Sequence, residues 1–317
     1  MNKKVNLIIG SGVLGAYLSV DLIKKKERVI VTTRSLRKKI HNYNYLKIQK
    51  KVKFEKLDIK NKNSIKKIIY KYKPEKIFYF AGQSSITKSL KSQKETFQSH
   101  YNGTKNFLDV LKEKNLKIKF FKANSGYIFA PNKGKIDLNC KFSSNKNPYV
   151  KAQKETFKLL KKYRQFGLNL SSLVFMQVES PLRPNDFLIK KVCLGAKNKD
   201  KITVGNINTF RDYSWITEVI KAIILSTKLP SKDFIISAGR KISGKEILTA
   251  AYKLNKLDFR KYYSVSKKFY RKNEDKILTG SIKNSSYLKK NFNFRFKIFG
   301  NSLVKKMYKS LWKQGFI

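Results

Sequence analysis

Short apolar runs alternate with longer segments of helical apolar spacing over about the first 175 residues. The runs predict buried strands, and the segments between them predict amphipathic helices. The predicted strands cover residues 4–9, 28–33, 52–57, 76–80, 119–123 and 169–176. Helices are predicted after Gly12 and over residues 64–72, 96–113 and 149–166. This alternation predicts an α/β fold with a Rossmann-type, doubly wound parallel sheet.

The pattern becomes less regular beyond Gln177. It predicts helices over residues 187–194 and 216–226, a short hairpin arm at 202–206 and a strand at 234–237. Ser243 and Glu246 have the spacing of a capping box at a helix start. We expect an NAD(P)-binding domain over residues 1–178 and a smaller C-terminal α/β substrate-binding part over 179–317. The chain is expected to return to the first domain around 207–237.

Composition narrows the class of protein. The formal net charge is +52, which would suit a nucleic-acid-binding protein. However, lysines occur in nearly every predicted helix and are not gathered on one face. Nucleic-acid binding is therefore not favoured. No run of about 20 apolar residues is present, so no membrane span is expected. The two cysteines have no metal-ligand spacing, and no metal site is predicted. The expectation is a cytoplasmic protein with free thiols.

A glycine-rich loop, Gly10-Ser11-Gly12-Val13-Leu14-Gly15, joins the first predicted strand to the first predicted helix. Glycines here let the N–H groups of a helix N-terminus approach a dinucleotide pyrophosphate. A tight turn without a ligand is the alternative, but the place at the first strand favours the dinucleotide. The predicted contacts from this loop are Gly10, Gly12, Val13, Leu14 and Gly15.

The end of the second predicted strand bears on the choice between NADP and NAD. An acidic residue there would bind the ribose hydroxyls of NAD, but the chain continues with Arg34-Ser35-Leu36-Arg37. Arg34 and Arg37 suit the 2′-phosphate of NADP, which is therefore favoured over NAD. Further cofactor contacts are predicted after the third and fourth strands, at Asp58, Ile59, Ala81, Gly82 and Gln83.

Ser125 and Tyr149 form the candidate reaction centre. Ser125 follows the fifth predicted strand, and Tyr149 begins the next long helix after Asn147-Pro148. Ligands of open α/β sheets bind outside the carboxyl ends of the strands. A serine at such an end and a tyrosine on the following helix can therefore face one crevice.

With these residues in place, the chain resembles the extended short-chain dehydrogenase/reductases that modify nucleotide sugars, and most closely the GDP-mannose 4,6-dehydratase branch. The resemblance runs nearly end to end, and the order and spacing of its motifs make it specific. The motifs are the loop from Gly12 to Tyr17, Ala81-Gly82-Gln83-Ser84, Asn102-Gly103-Thr104, Pro148-Tyr149, Tyr163-Arg164, Glu179-Ser180-Pro181, Gly205-Asn206, Arg211-Asp212-Tyr213, and Arg271 with Glu274.

The resemblance implies hydride transfer between sugar C4 and a nicotinamide, with Tyr149 as the base and Ser125 as its hydrogen-bonding partner. It also implies a GDP-sugar substrate and a homodimer. The substrate contacts that it implies are Ser84, Gln177, Glu179, Lys191, Gly205, Arg211, Arg271 and Glu274.

Two residues depart from the family pattern. The family has a lysine four residues after the tyrosine, where this chain has Gln153, and Lys154 is rotated by about 100° around the helix. The missing cation matters because a nearby positive charge lowers the pKa of a phenol from about 10 by about 1–3 units. Tyr127 stands where a dehydratase has its catalytic glutamate.

Three hypotheses therefore remain open. The protein is a GDP-mannose 4,6-dehydratase-like enzyme, a reductase or epimerase of a GDP-4-keto-6-deoxy-sugar, or a catalytically impaired homologue that binds the cofactor and the nucleotide sugar. The second hypothesis is consistent with Tyr127 in place of the family glutamate. The third hypothesis is consistent with Gln153 in place of the family lysine.

Overall fold

The computed structural model describes residues 3–36, 40–270 and 274–311. Arg37 and Arg271, two predicted ligand contacts, lie outside the described residues. The chain divides into two compact units. The first unit contains Met1–Ile128, Phe142–Val174 and Ser226–Phe234, and the second contains Phe129–Lys141, Phe175–Leu225 and Ile235–Ile317.

The structure contains short strands throughout the chain. They are β1 (Val5–Ile9), β2 (Arg28–Thr33), β3 (Lys53–Lys56), β4 (Lys76–Tyr79), β5 (Lys119–Ser125), β6 (Lys135–Ile136), β7 (Leu170–Phe175), β8 (Gln177–Glu179), β9 (Ile202–Val204), β10 (Phe210–Trp215), β11 (Phe234–Ile236), β12 (Lys241–Ser243), β13 (Tyr263–Val265) and β14 (Ile277–Gly280).

The helices follow the same chain order. They are α1 (Val13–Lys24), α2 (His41–Tyr45), α3 (Lys62–Tyr72), α4 (Ile86–Lys91), α5 (Gln93–Phe97), α6 (Gly103–Glu113), α7 (Pro148–Arg164), α8 (Leu188–Asn198), α9 (Ile216–Ser226), α10 (Gly244–Lys253), α11 (Ser286–Phe292) and α12 (Gly300–Ser310).

The main sheet has seven strands in the order β11-β7-β5-β4-β1-β2-β3. The pairs β5–β4, β4–β1, β1–β2 and β2–β3 are parallel. The predicted Rossmann-type α/β fold is confirmed. Apart from those of the edge strand β3, most residues of these strands are buried, and each buried aliphatic or aromatic side chain contributes about 1.5–3 kcal/mol. The core between sheet and helices includes Leu7, Ile77, Phe107, Phe120 and Leu160.

The helix predicted at residues 96–113 is interrupted by a different winding. The π-helical segment Gln98–Asn102 joins α5 to α6. A π-turn inserts an extra residue into the helical turn and therefore changes the direction of the side chains around it. His100 lies in this segment and is buried.

The second unit contains the strands that the sequence pattern did not predict. Strands β12-β10-β14-β6 form a mixed sheet, and β8 pairs with β10. The predicted hairpin arm at residues 202–206 is wrong, because β9 pairs in parallel with β13, about sixty residues later in the chain. Except for β10, the strands that were missed have two to four residues, which gives too short an apolar pattern to be recognised without the partner strands.

Side-chain caps fix the starts of two helices. The predicted capping box is confirmed, since the Ser243 hydroxyl accepts from the N–H of Glu246 and the Glu246 carboxylate accepts from the N–H of Ser243. At α7, the Asn147 Oδ1 accepts from the N–H of Tyr149 at 2.9 Å. Pro148 occupies the first helical position, which needs no donor. This cap fixes Tyr149 in the first turn of α7.

Candidate active site

The glycine loop after β1 has one glycine open to the surroundings and two packed against the protein. A Cβ on Gly15 would stand 2.6 Å from the carbonyl oxygen of Gly10, so the α1 backbone lies against the loop. Gly10 has a φ of +104° and lies beside the backbone of Ala81. Gly12 begins α1, and no described atom lies within 4 Å of the position where its Cβ would stand. This leaves space at the helix N-terminus, where Val13 and Leu14 form the first turn.

Ser11 adds an unsatisfied polar atom at the same loop. Its side chain is buried, and its Oγ has no hydrogen-bond partner among the described residues. Because buried polar atoms are rarely left without a partner, such an atom indicates a ligand or water position. A helix N-terminus with open space attracts a phosphate. The loop therefore fits the pyrophosphate of a dinucleotide.

Arg34, the predicted contact to a 2′-phosphate, follows β2 and is exposed. Its guanidinium pairs with the Glu95 carboxylate at 2.7 Å, with 68% and 56% of the two side chains exposed. An exposed pair of this kind contributes about 0–1 kcal/mol, so an incoming phosphate can replace the carboxylate at little cost.

The residues after β3 lie beside α6. The carboxylate of Asp58 accepts from the N–H of Lys60 at 3.0 Å, which closes a local turn. The carbonyl of Ile59 accepts from the Asn106 side chain at 2.9 Å. Asp58 is exposed and Ile59 is half-buried. These hydrogen bonds fix the turn, and the Asp58 side chain remains accessible to solvent.

The turn after β4 is built around His100. Gly82 has a φ of +135°, and a Cβ there would overlap the imidazole of His100. The Gln83 carbonyl lies 2.8 Å from the His100 Nε2. The Gln83 side chain folds back on the backbone of Ser85, while Ser84 is exposed. Only glycine fits at position 82, so the close approach of turn and ring is set by the sequence.

Ser125 ends β5, as the sequence predicts, and is buried. Its Oγ accepts from the N–H of Tyr127 at 3.3 Å, and its own N–H donates to the Asn124 side chain at 3.0 Å. Tyr127 follows in a short 3-10 turn and is half-buried. The local turn thus fixes the serine hydroxyl at the carboxyl end of the strand.

Tyr149 and Gln153 lie one helical turn apart on α7, and both are buried. Helix α7 contacts β5 and the π-helical segment. The ring of Tyr149 meets the ring of His100 edge-on, with centroids 5.6 Å apart. The Gln153 Oε1 has no hydrogen-bond partner among the described residues. The amide thus occupies the family lysine position, and its oxygen accepts from no donor in the described part of the chain.

His100 is a site residue that the sequence interpretation missed. A carbonyl only accepts, so the contact with Gln83 assigns the ring proton to Nε2. Burial and the nearby charge of Lys122 lower the His100 pKa to about 3. The ring is therefore neutral, and its Nδ1 has no partner within the described part of the chain. The available signal was that the chain has only two histidines and one directly precedes the Tyr101-Asn102-Gly103 run.

Lys122 is a buried titratable residue that the sequence interpretation also missed. Its side chain is fully buried in β5, and its Nζ donates to the Ala123 carbonyl at 2.5 Å. Burial lowers the Lys122 pKa to about 7. The signal in the sequence was a lysine inside an apolar strand, which the abundance of lysine elsewhere concealed.

Apart from Ser84, the predicted substrate contacts that lie among the described residues belong to the second unit. Lys191 on α8 donates from Nζ to the Thr203 carbonyl at 2.6 Å and lies 5.1 Å from the centre of the Phe269 ring. A Cβ on Gly205 would stand 3.0 Å from the Phe269 carbonyl oxygen. Lys191 and Gly205 therefore both lie close to Phe269.

Arg211 and Glu274 form a mostly buried ion pair in the second unit. Their closest atoms are 2.6 Å apart, with 7% and 17% of the two side chains exposed. The Arg211 guanidinium also donates to the Phe210 carbonyl at 2.6 Å. The ion pair fixes the orientation of the Arg211 guanidinium. The remaining N–H groups of the guanidinium are therefore suited to recognise an anion.

Gln177 and Glu179 lie on β8, opposite Tyr213 and Trp215 of β10. Glu179 is buried, and its Oε2 has no partner among the described residues. Burial raises the Glu179 pKa to about 7, against the opposing effect of the charges of Arg183 and Lys190. This carboxyl group is therefore protonated more readily than a solvated glutamate.

A comparison with protein-family models assigns the family. Residues 7–307 match the model described as GDP-mannose 4,6 dehydratase. The chain belongs to the GDP-mannose 4,6 dehydratase family. The resemblance drawn from the motifs is thereby confirmed.

Individual relatives of the GDP-mannose 4,6 dehydratase family agree with this assignment at low identity. The GDP-mannose 4,6 dehydratase of Drosophila melanogaster is 26% identical over 274 residues, which cover 79% of this chain and 68% of that protein. GDP-mannose 4,6 dehydratase 1 of Arabidopsis thaliana is 22% identical over 325 residues, covering 96% of this chain and 89% of that one.

Solved structures share the fold of this family member over nearly its whole length. UDP-glucuronic acid 4-epimerase from Bacillus cereus, in complex with UDP-glucuronic acid and NAD, has a TM-score of 0.84 at 15% identity and covers 97% of this chain and 99% of that one. dTDP-glucose 4,6-dehydratase from Bacillus anthracis, in complex with NAD, has a TM-score of 0.81 at 16% identity, with 97% of both chains covered. At these identities the likeness concerns the fold.

Residues 3–36, 40–270 and 274–311 contain neither a helix that could span a membrane nor a cluster of metal ligands. Every helix there is too short or too polar to cross a lipid bilayer. Three or more His, Cys, Asp or Glu side chains placed to hold a metal ion do not occur together there.

Proposed function

We propose that the protein performs an NADP-dependent modification of a GDP-sugar, GDP-mannose 4,6-dehydratase-like, with hydride transfer at sugar C4. The observation that carries the proposal is the family match over residues 7–307. The placement of Ser125 at the end of β5 and of Tyr149 in the first turn of α7 supports it, because both positions suit the chemistry that the family resemblance implies.

The glycine loop supports the dinucleotide part of the proposal. The open position at Gly12 and the unsatisfied Oγ of Ser11 fit a pyrophosphate at the start of α1. Arg34 would hold the 2′-phosphate of NADP in place of Glu95. When bound, the nicotinamide supplies an acceptor and donor of hydride.

The protein residues manage the proton and the substrate. Tyr149 would take the proton of the sugar C4 hydroxyl, and the Ser125 hydroxyl would hydrogen-bond the same oxygen. Positioned proton transfer of this kind contributes about 10²–10⁴-fold in rate. Arg211, held by Glu274, and Lys191 would bind the diphosphate of the GDP-sugar.

Tyr127 favours a second candidate, a GDP-4-keto-6-deoxy-sugar reductase or epimerase. Elimination across C5 and C6 needs a base for the C5 proton, and Tyr127 occupies the position of the family glutamate. Reduction of a 4-keto group needs a hydride, which bound NADPH would supply, and a proton donor, for which Ser125 and Tyr149 suffice.

One assay separates the candidates. Purified protein is incubated with GDP-mannose, and separately with its 4-keto-6-deoxy product, while NADPH absorbance and product mass are followed. Dehydration of GDP-mannose without net change in NADPH supports the first function, and NADPH consumption with the keto sugar supports the second. Tight nucleotide binding with neither reaction supports a catalytically impaired homologue and rejects both.

The family resemblance also leads us to infer a homodimer, and the two free cysteines lead us to infer a cytoplasmic location. Light scattering of the purified protein tests the first, with a monomer mass as the contrary result. Fractionation of the source cells tests the second, with recovery outside the cytoplasmic fraction as the contrary result.

A further inference from the structure

Asn42 is a buried asparagine beside the glycine-rich loop, and its side-chain oxygen has no partner among the described residues. It lies on the short helix α2, with 5% of its surface exposed. Its Nδ2 donates to the Ser11 carbonyl at 3.4 Å, which joins α2 to the loop after β1. Its Oδ1 accepts no hydrogen bond within the described part of the chain. Because a buried polar atom without a partner costs free energy, this oxygen indicates a place where a donor binds.

Tyr43, the next residue, fixes the position of α2. Its ring is fully buried and meets the Phe54 ring edge-on, with centroids 4.9 Å apart. Its hydroxyl oxygen lies 3.3 Å from the position where a Cβ on Gly15 would stand, so the tyrosine packs on the first turn of α1. Asn42 is therefore held beside the loop by the packing of its neighbour and by its own hydrogen bond to Ser11.

The loop that Asn42 contacts begins where β1 and β2 end side by side. The two strands pair in parallel up to Ile9 and Thr32, and the N–H of Gly10 donates to the Thr32 carbonyl at 3.1 Å. In dinucleotide-binding folds this edge of the sheet holds the adenosine ribose, and an acidic residue after the second strand accepts hydrogen bonds from the ribose hydroxyls. This chain continues from β2 to Arg34, and residues 32–45 contain no aspartate or glutamate.

An amide oxygen can bind only part of such a cofactor. A pyrophosphate carries acceptors alone, so it offers no donor to the Asn42 Oδ1. A ribose hydroxyl is a donor, and the adenosine ribose of NADP keeps its 3′-hydroxyl while its 2′ oxygen carries the phosphate. A carboxylate at this position would accept from the hydroxyl but would repel the 2′-phosphate, whereas an amide accepts without a net charge.

We propose that Asn42 is a specificity-determining residue whose Oδ1 accepts a hydrogen bond from the 3′-hydroxyl of the adenosine ribose of NADP. Its Nδ2 stays bonded to the Ser11 carbonyl, so one amide connects the ribose to the glycine-rich loop. This role rests on the proposed function, in which the loop binds NADP. Asn42 supplies the acceptor that the missing carboxylate would otherwise provide.

The first experiment compares two ligands and two variants by titration calorimetry. The ligands are NADP and its analogue built on 3′-deoxyadenosine. The wild type should bind the analogue about tenfold more weakly than NADP, because the amide oxygen then stays buried without a donor. Asn42→Leu should bind NADP about tenfold more weakly than the wild type and should distinguish the two ligands by less than about twofold. Asn44→Leu makes the same change at an exposed asparagine of α2 and should behave like the wild type.

The melting temperature of the cofactor-free protein separates a binding role from a packing role. Asn42→Leu removes a buried oxygen that has no partner among the described residues, so this temperature should stay unchanged or rise. The increase in melting temperature that NADP produces should become smaller. A fall in the melting temperature of the cofactor-free variant, with the NADP affinity retained, would overturn the proposal.

Asn42→Asp provides a second test that keeps the size of the side chain. The carboxylate can still accept from the ribose of NAD, but it lies near the 2′-phosphate of bound NADP. The preference for NADP over NAD should therefore fall by about tenfold or more at about pH 8, which favours the ionised carboxylate. A preference equal to that of the wild type would contradict the role of Asn42.

The results distinguish this role from the proposed function. If the wild type does not bind NADP, both the cofactor of the proposed function and the role of Asn42 are rejected. If NADP binds but the 3′-hydroxyl makes no difference to its affinity, the role of Asn42 alone is rejected. If neither GDP-sugar is converted while Asn42 still discriminates between the two ligands, the proposed reaction is rejected and the role of Asn42 stands.

Discussion

The imidazole of His100 meets the phenol ring of Tyr149 edge-on, with centroids 5.6 Å apart and ring planes at 81°. This geometry is the preferred one for two aromatic rings and contributes about 0.5–1.5 kcal/mol beyond burial. His100 is itself held by the Gln83 carbonyl, at the turn after β4. The candidate base on α7 is thus positioned by a residue of the π-helical segment and by the turn that approaches the cofactor loop.

Tyr149→Phe removes the hydroxyl but keeps the ring, so it tests the role of the hydroxyl alone. The variant keeps the contact with His100, so the free energy of unfolding should fall by no more than about 1 kcal/mol. Turnover should fall by about 10²-fold or more because the proton acceptor is lost. The measurement is kcat together with urea denaturation.

Tyr163→Phe on the same helix is the matched control for this variant. Its hydroxyl donates to the Asp109 carboxylate, so the free energy of unfolding should fall by about 1.5–3 kcal/mol while kcat is retained. Equal losses of kcat in the two variants would contradict the role of Tyr149.

Gly12→Ala should mainly weaken cofactor binding, whereas Gly15→Ala should mainly destabilise the fold. Gly12 has open space at its Cβ position, so the variant should fold within about 1 kcal/mol of the wild type but bind NADP at least about tenfold more weakly. Gly15→Ala would place a Cβ 2.6 Å from the Gly10 carbonyl oxygen and should mainly lower the melting temperature. Titration calorimetry measures the NADP affinity of each variant, and scanning calorimetry measures its melting temperature. Unchanged NADP affinity in Gly12→Ala would remove the loop from the cofactor site.

Arg34→Ala should weaken NADP binding by about 1–2 kcal/mol and leave NAD binding nearly unchanged. The reason is that the exposed guanidinium, now paired with Glu95, would bind only the 2′-phosphate. Dissociation constants for both dinucleotides test it, with Arg28→Ala at the opposite end of β2 as the control. Equal weakening of NADP and NAD would reject the 2′-phosphate assignment.

Lys122 should also make stability depend on pH. Its pKa is lowered from 10.5 to about 7 in the folded chain, so between these values the unfolded chain binds a proton that the folded chain does not. The free energy of unfolding therefore rises with pH across this window and is lowest below pH 7. Lys122→Met removes the effect.

The measurement is urea denaturation of the wild type and of Lys122→Met at several pH values. The stability advantage of the variant should shrink as the pH rises from about 7 to about 10, by at most about 1.4 kcal/mol per pH unit. A difference that is constant over this range would show that Lys122 is charged in the folded protein throughout.

Much of the first unit could be predicted from the sequence. The apolar runs that became β1, β2, β4 and β5 are buried on both faces, and such runs have a strong local signature. Gly10 and Gly15 of the glycine loop, and Gly82 in the turn after β4, were predictable for a different reason, since a Cβ at each would collide with neighbouring atoms. The motif order likewise located Ser125 and Tyr149.

The second unit was less predictable because its strands obtain their hydrogen bonds from distant segments. Strand β9 pairs with β13, and β6 pairs with β14, each across a long stretch of chain. Local patterns of two to four residues do not encode such partners. The pairing of Arg211 with Glu274 has the same origin, although the motif order had placed both residues near the substrate.

The sequence by itself determined the parallel α/β sheet, the loop for a dinucleotide and the positions of Ser125 and Tyr149, because each depends on local pattern or on a backbone that only glycine permits. Only the tertiary structure decided the burial of His100 and Lys122. In a chain of net charge +52, a lysine on a strand has no local feature that distinguishes it from the solvated lysines around it. Its burial, and with it the change in its protonation, arises from the neighbouring strand and helices that surround it in the fold.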